Sequence, residues 1–298
     1  MDFTPGKYKL LLSALKRCSV PFTGFGDIAG CQIERFIVLR HDVDKKPGNA
    51  LNLARIEARE SIKASYHFRA SGKGFEEKVI SEIAALGHEI AYHYEDLSAV
   101  AGRMPGRIGE VDPAVVDAAV ARFRSNLDLL RKLFPVNVIS MHGSPLSPID
   151  NRLLWKYHDY HSDGIVCEPY MDIDMSDILY LTDTGRRWDG EGTSVRDRGF
   201  MAGTEAIPDP YADWIVKPVK GSLMNMTPEG MRHREAFKVA KSDELIEKTL
   251  NNLLPGRIII NTHPQRWSDD PLPWVTELII QNLKNQVKRF VRLSKILA

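Results

Sequence analysis

The feature that most constrains this chain is an alternation. Short apolar runs of strand length are followed by longer segments whose apolar residues recur every three or four positions. "RFIVLR", "KASYHFR", "HEIAYH", "NVISMHG" and "RIIINTH" read as strands, and "GIVCEP" and "DILYLTD" as two more. Among them, "GNALNLARIEARES", "EEKVISEIAALG" and "DPAVVDAAVARFRSNLDLLRKLF" carry helical periodicity, the last with Asp112 as its cap and Pro113 in its first turn. "YKLLLSALKR" is a helix near the start, "SDELIEKTLNNLL" is a late helix capped by Ser242, and the sequence closes on a long helical pattern. Strands that alternate with helices dictate a parallel sheet, because parallel neighbours need a long crossover between them. The strands are nearly continuous apolar runs, as strands covered on both faces must be.

The expectation is one α/β domain over residues 1–298, with an N-terminal helical extension (1–34) and a variable excursion (186–228) rich in Gly, Asp and Pro. A formal net charge of +1 gives no global field for nucleic acid, and none is expected as a partner. Cys18, Cys31 and Cys167 are far apart and form neither a metal spacing nor a disulfide framework. "MDFTPGKYKLLLSALKRCSVPF" is broken by Lys9 and Lys16 and lacks the form of a secretion signal, so a cytoplasmic location is expected. "LIIQNLKNQVKRFVRLSKILA" is basic and helical in period; it suits a final helix packed on the core, with peripheral membrane contact as the other reading.

Polar groups collect where the strands end. His41, Asp42 and Asp44 follow the first apolar run; His67 and Arg69 close the second; His93, Glu95 and Asp96 follow the third. His142 ends "NVISMHG", Asp183, Arg186 and Trp188 follow "DILYLTD", and His263 follows "RIIINT". In parallel α/β folds the carboxyl ends of the strands share one face, and that face holds the active site. Carboxylates two apart plus histidines from neighbouring strands suit a divalent metal: zinc first, with cobalt or nickel as alternatives. A free carboxylate beside such a metal takes a proton from water, and a histidine opposite protonates a leaving group.

"RHDVD" at Arg40–Asp44, "GHEIAYHYEDL" at Gly87–Leu97 and "INTHP" at Ile260–Pro264 resemble the motifs of the polysaccharide deacetylase, or NodB-homology, family, and most closely its HDVD-type subgroup. "KASYHF" is similar to the family's second strand. The resemblance implies a distorted (β/α) barrel of about seven parallel strands and metal-dependent removal of an N-acetyl group from a sugar. It implies Asp42 as catalytic base, Asp44 and His93 as metal ligands, and His263 as general acid. The substrate it suggests, given the expected compartment, is a nucleotide-linked or lipid-linked precursor of a surface polysaccharide.

Two features depart from the pattern. The family's second metal histidine falls where this chain has Leu97, and "SMHGSP" replaces the arginine and proline of its third motif. Either His142 supplies the missing nitrogen, giving Asp44, His93 and His142, with Glu95 in reserve, or the metal site is incomplete and the chain is a binding module, such as a carbohydrate-binding relic, or works without metal. Another C–N hydrolase, a deformylase or cyclic amidase, stands as a further alternative. Arg69 is a candidate for binding substrate or for pairing with Asp42 in place of the lost arginine. Asp183 and Trp188 are candidates for binding a sugar, against a capping aspartate and a core tryptophan. His88 reads as structural, His67 as either core or functional, and His158, His161 and His233 as surface histidines.

Overall fold

The computed structural model describes residues 1–31, 33–102, 112–143, 149–188, 237–280 and 282. The excursion expected at 186–228 lies outside these apart from Arg186–Trp188, as do His233 and the basic part of the final helical pattern from 283 onward. Residues 271–280 are helical, and among the described residues no helix is long and apolar enough to cross a membrane.

Seven strands form one sheet: β1 (Phe22–Thr23), β2 (Phe36–Val43), β3 (Ser65–Phe68), β4 (Glu89–Tyr94), β5 (Ile139–Met141), β6 (Leu179–Thr182) and β7 (Arg257–Thr262). All pairings are parallel, in the order β5-β4-β3-β2-β7-β6. β1 pairs with Ile37 and Val38, on the side of β2 that β3 takes further along. Among the described residues no pairing joins β5 to β6, so the sheet is an open, curled half-barrel, the distorted barrel that the sequence motifs imply. Residues 1–34 belong to it: they supply β1, and Phe3, Tyr8, Leu11, Leu12, Leu15 and Phe25 lie in the core.

β2 runs further than its apolar pattern. "RFIVLR" reads as ending near Arg40, yet the strand continues through His41 and Asp42 to Val43, and all eight residues are buried. It can do so because each polar side chain on it finds a buried partner, described below. Two other expectations are corrected. "GIVCEP" forms only a single bridge, Val138 to Cys167, and the chain then turns into a short helix, Pro169–Asp172. Ser242 is the first residue of its helix rather than the cap, which falls at Lys241.

Among the described residues the helices before β5 are α1 (Pro5–Arg17), α2 (Phe25–Ile28), α3 (Pro47–Arg59), α4 (Glu77–Ala85), α5 (Asp96–Ala101) and α6 (Pro113–Arg131). α1 (Pro5–Arg17) starts at Thr4, whose hydroxyl accepts from Lys7 N at 3.1 Å. α3 (Pro47–Arg59) buries Ala50, Leu51, Leu53, Ala54 and Ile56, and each large aliphatic side chain fully buried there contributes roughly 1.5–3 kcal/mol. Its buried face also carries Glu57, a charge in an apolar stripe. α6 (Pro113–Arg131) is capped by Asp112, which accepts from Ala114 N at 2.8 Å, as its sequence predicts.

The loop after β3 returns over the end of β2 at Gly74. A Cβ on Gly74 would lie 2.1 Å from Val43 O and 2.8 Å from the Asp44 carbonyl carbon. These are backbone atoms and cannot step aside. Gly74→Ala is therefore expected to destabilise the fold by about 2–4 kcal/mol and to displace Asp44; a denaturation midpoint equal to the parent's would contradict the close approach.

Candidate active site

Strand register decides what shares the barrel interior. Arg40 pairs with Asn261, Asp42 with His67, His67 with Ala91, and His93 with Ser140. Side chains alternate along a strand, so Arg40, Asp42 and Asp44, then His67 and Arg69, then His93 and Glu95, then Ser140 and His142, project to one side. His41 projects to the other, into the helix layer, where it meets Glu57.

Asp42 is held by a guanidinium and an amide. Arg40 donates through Nε to Oδ1 at 2.7 Å and through Nη2 to Oδ2 at 3.2 Å, and Asn261 donates to Oδ2 at 3.0 Å. Arg40, 1% exposed, also donates to Tyr170 and Ser140, at 3.1 Å each. Burial alone would raise the Asp42 pKa, but the charge of Arg40 and then of His93 and His263 holds the carboxyl well below its usual range. The cation paired with Asp42 is thus Arg40. Arg69 instead pairs with Glu95 and does not reach Asp42.

A second group stands beside the first. Ligand atoms of Asp44, His93 and His142 all lie within 4.8 Å of one another. His142 Nε2 is 3.4 Å from Asp44 Oδ1, and its Nδ1 is 2.9 Å from Glu95 Oε2, off the line of a hydrogen bond. Gln265 donates to Asp44 Oδ2 at 3.1 Å, whereas Asp44 Oδ1 is buried without any hydrogen-bond partner. His93 Nδ1 sits 3.1 Å from the Ser140 carbonyl oxygen, and its Nε2 is 3.9 Å from Asp42 Oδ2. Burial pushes His93 down to about 4, so it is neutral at pH 7, the form a ligand needs. Burial also opposes the charge on His142, but Asp44 and Glu95 outweigh it and raise His142 to about 9. Glu95 falls to about 2 against its own burial, through His142 and Arg69.

This donor set fits a divalent cation that takes the place of the His142 proton, since binding a metal releases the protons of its ligands. It offers two imidazoles and one carboxylate, an orphaned carboxylate oxygen faces the gap, and Glu95 backs His142 as carboxylates back metal-bound histidines. Asp42, His67 and His93 also lie close together, but Asp42 is occupied by Arg40 and Asn261, and both ring nitrogens of His67 by Ser65 and Ser140. Leu97 is fully buried in the core and takes no part.

His263 closes the opposite wall. Its Nδ1 is 2.7 Å from Asp183 Oδ1, and its backbone N–H donates to Asp183 Oδ2 at 2.9 Å. Arg266 and Trp267 Nε1 donate to the same carboxylate. Asp183 is fully buried with both oxygens engaged; it orients His263 and has nothing left for a sugar. Trp188 is corrected in the same way. It is 1% exposed, its indole donates to Ser242 Oγ at 2.9 Å, and it packs on Phe3 and Trp267, so its faces serve the core. Its large apolar area outweighs any gain from placing it at the surface.

The sequence places Arg40 in the charged cluster after Leu39 without pairing it to Asp42, and it gives no sign of Ser140, Asn261 and Gln265. Arg40 was within reach, since it stands two residues before Asp42 and therefore on the same face. The others depend on strand register and left no signal.

No protein-family profile matches the chain, and no curated protein does. Among solved structures, it is similar to peptidoglycan deacetylase PdaC from Bacillus subtilis, at 12% identity and a TM-score of 0.34, over 87% of this chain and 97% of that one. It is also similar to a mutant of a CE4 family pseudoenzyme, at 9% identity and a TM-score of 0.36, over 81% of this chain and 74% of that one. At such values the chemistry has to be read from the side chains.

Proposed function

We propose that this chain is a metal-dependent hydrolase that removes an N-acetyl group from a sugar. The observation that carries it is the pair of groups across one interior: Asp44, His93 and His142, with an Asp44 oxygen that accepts no hydrogen bond, and His263 on a buried aspartate opposite. Asp44, His93 and His142 would hold the metal, which supplies a Lewis acid for the amide carbonyl and the acidification of water that Asp42 alone, kept strongly acidic by Arg40, cannot provide. Asp42 receives the proton of the attacking water, and Arg40 and Asn261 keep that carboxylate in place. His263, oriented through Nδ1 by Asp183, delivers a proton from Nε2 to the departing amine. Water and the acetamide are consumed; acetate and the free amino sugar are formed. Arg69, partly exposed beside Glu95, is the group we assign to the substrate side of the pocket.

The substrate form proposed is a nucleotide-linked or lipid-linked sugar met in the cytoplasm; it rests on the sequence expectation alone. The opposing reading, a binding relic, is favoured by the buried Leu97 at the family's histidine position. Metal analysis decides between them. The parent is expected to carry about one zinc, or a similar ion, per chain, lost in His93→Ala and in His142→Ala, and to release acetate from an N-acetylated sugar. A parent without metal after exposure to zinc, cobalt or nickel would remove the hydrolase reading. Metal lost only with His93 would move the third ligand to Glu95.

A further inference from the structure

We infer that a one-way hydrogen-bond relay, Arg40–Ser140–His67–Ser65–Glu89, makes His67 a positioning residue that fixes which ring nitrogen of His93 faces the candidate metal site. The inference rests on the reading that His93 is a metal ligand. Between Arg40 and His93, which the reaction uses, it concerns residues that the reaction does not: Ser140, His67, Ser65 and Glu89.

Three side chains meet on one hydroxyl. Ser140 Oγ lies 3.1 Å from Arg40 Nη2, 2.7 Å from His67 Nδ1 and 3.0 Å from His93 Nδ1. Arg40 only donates, so the hydroxyl oxygen accepts from it and has one proton left to give. If that proton goes to His67 Nδ1, His67 carries its own proton on Nε2. It then donates to Ser65 Oγ at 2.9 Å, and Ser65 donates to Glu89 Oε1 at 2.6 Å. Every link has one donor and one acceptor. His93 is then free to hold its proton on Nδ1, donate to the Ser140 carbonyl at 3.1 Å, and turn a bare Nε2 toward Asp44 and His142.

The opposite direction reverses the His93 tautomer. His67 would donate from Nδ1 into Ser140, whose two lone pairs would then accept from Arg40 and His67, and the serine proton would go to His93 Nδ1. His93 would then carry its proton on Nε2, where it blocks ligation, and the Ser140 carbonyl would lose its donor. At the far end Glu89 would have to donate to Ser65. Burial raises the Glu89 pKa, and the amides of Phe25 and Gly26, donating to Oε1 at 3.0 Å and Oε2 at 2.8 Å, oppose that rise by holding both oxygens as acceptors. That end is built for close approach: a Cβ on Gly24 would come within 2.7 Å of Glu89 Oε2, and one on Gly26 within 3.0 Å. A carboxylate held by backbone amides beneath the barrel therefore sets the polarity of the whole chain.

The test is ring-nitrogen NMR on the full-length, metal-free protein, followed by zinc affinity from competition with a chelator. The expected spectrum shows His93 protonated on Nδ1 with a bare Nε2, and His67 the reverse. His67→Phe cuts the relay and is expected to weaken zinc binding roughly 10–100-fold and to mix the His93 tautomers. His67→Gln keeps one acceptor and one donor and is expected to stay within about threefold of the parent. Ser65→Ala, a smaller change than His67→Phe, is expected to mix the His67 tautomers if His67→Phe does not fold. A parent His93 protonated on Nε2, or a folded His67→Phe with parental zinc affinity, overturns the inference. A parent that binds no zinc removes the proposed function instead, and the tautomers of the metal-free protein still decide the relay.

Discussion

Replacing Asp42 by asparagine should lower acetate release by roughly 10²–10⁴-fold while zinc stays bound. Asparagine keeps the shape and can still accept from Asn261, but it cannot take a proton from water. Asp42 is not among the three proposed ligands, so the metal content should hold. The substitution has a second effect. Arg40 is 1% exposed and would lose the carboxylate that it grips through two nitrogens, and breaking a buried pair on one side costs about 3–5 kcal/mol. In a domain of this size that corresponds to a fall of roughly 5–8 °C in Tm. The two effects separate in the double variant Arg40→Met with Asp42→Asn, which removes the orphaned charge. It should recover much of the stability and none of the turnover. An Asp42→Asn protein that keeps more than about a tenth of parental turnover would remove Asp42 from the role of base.

A stability loss of the same size is expected at Glu57, away from the interior site. Its side chain is fully buried under α3 and accepts from His41 Nε2 at 2.7 Å, from Tyr66 at 2.6 Å and from Tyr8. His41 is held from its other nitrogen at 2.6 Å from Thr262 Oγ1, and its ring stacks on Tyr66 with centroids 4.3 Å apart. Glu57→Leu leaves these donors buried without an acceptor, at a cost of about 3–5 kcal/mol. Glu57→Gln, which keeps an acceptor, should cost less. The pH dependence has a fixed sign. Burial pushes the Glu57 pKa up, but His41 and the other donors outweigh it, and the folded value lies below the ordinary carboxylate value. A depressed folded pKa gives stability that is present above about pH 4 and is lost as the pH falls through the folded pKa. The stability gap between parent and Glu57→Leu should therefore be widest near neutrality and narrow below about pH 4 in denaturant titrations. A gap that widens on acidification would mean that Glu57 is not the ionised centre of this cluster.

Glu57 also shows where sequence reading stops. Helical periodicity places it on the buried face of α3 beside Ala54 and Ile56, and nothing local says what meets a charge there. His41 reads as part of the "RHDVD" polar group, yet alternation along β2 sends it outward while Arg40 and Asp42 go inward. Asp183 and Trp188 stand at and after the end of "DILYLTD" and were reasonable sugar contacts. Packing on Phe3 and pairing with His263 assign them elsewhere. "GIVCEP" has strand composition, but only Cys167 finds a pairing partner, so no strand forms.

The sequence alone determined the alternation of strand and helix, and hence the parallel sheet. It also determined that polar residues gather at the carboxyl ends of the strands, because apolar runs have to end where the sheet does. Which of those residues face one another was decided only by tertiary structure. Leu97 and His142 illustrate the reason. The register that sets His93 against Ser140 places His142 two residues further along, on the same face, while Leu97 has already turned into the core on helix Asp96–Ala101. Register between strands far apart in sequence depends on how whole crossovers pack, and no local pattern encodes it.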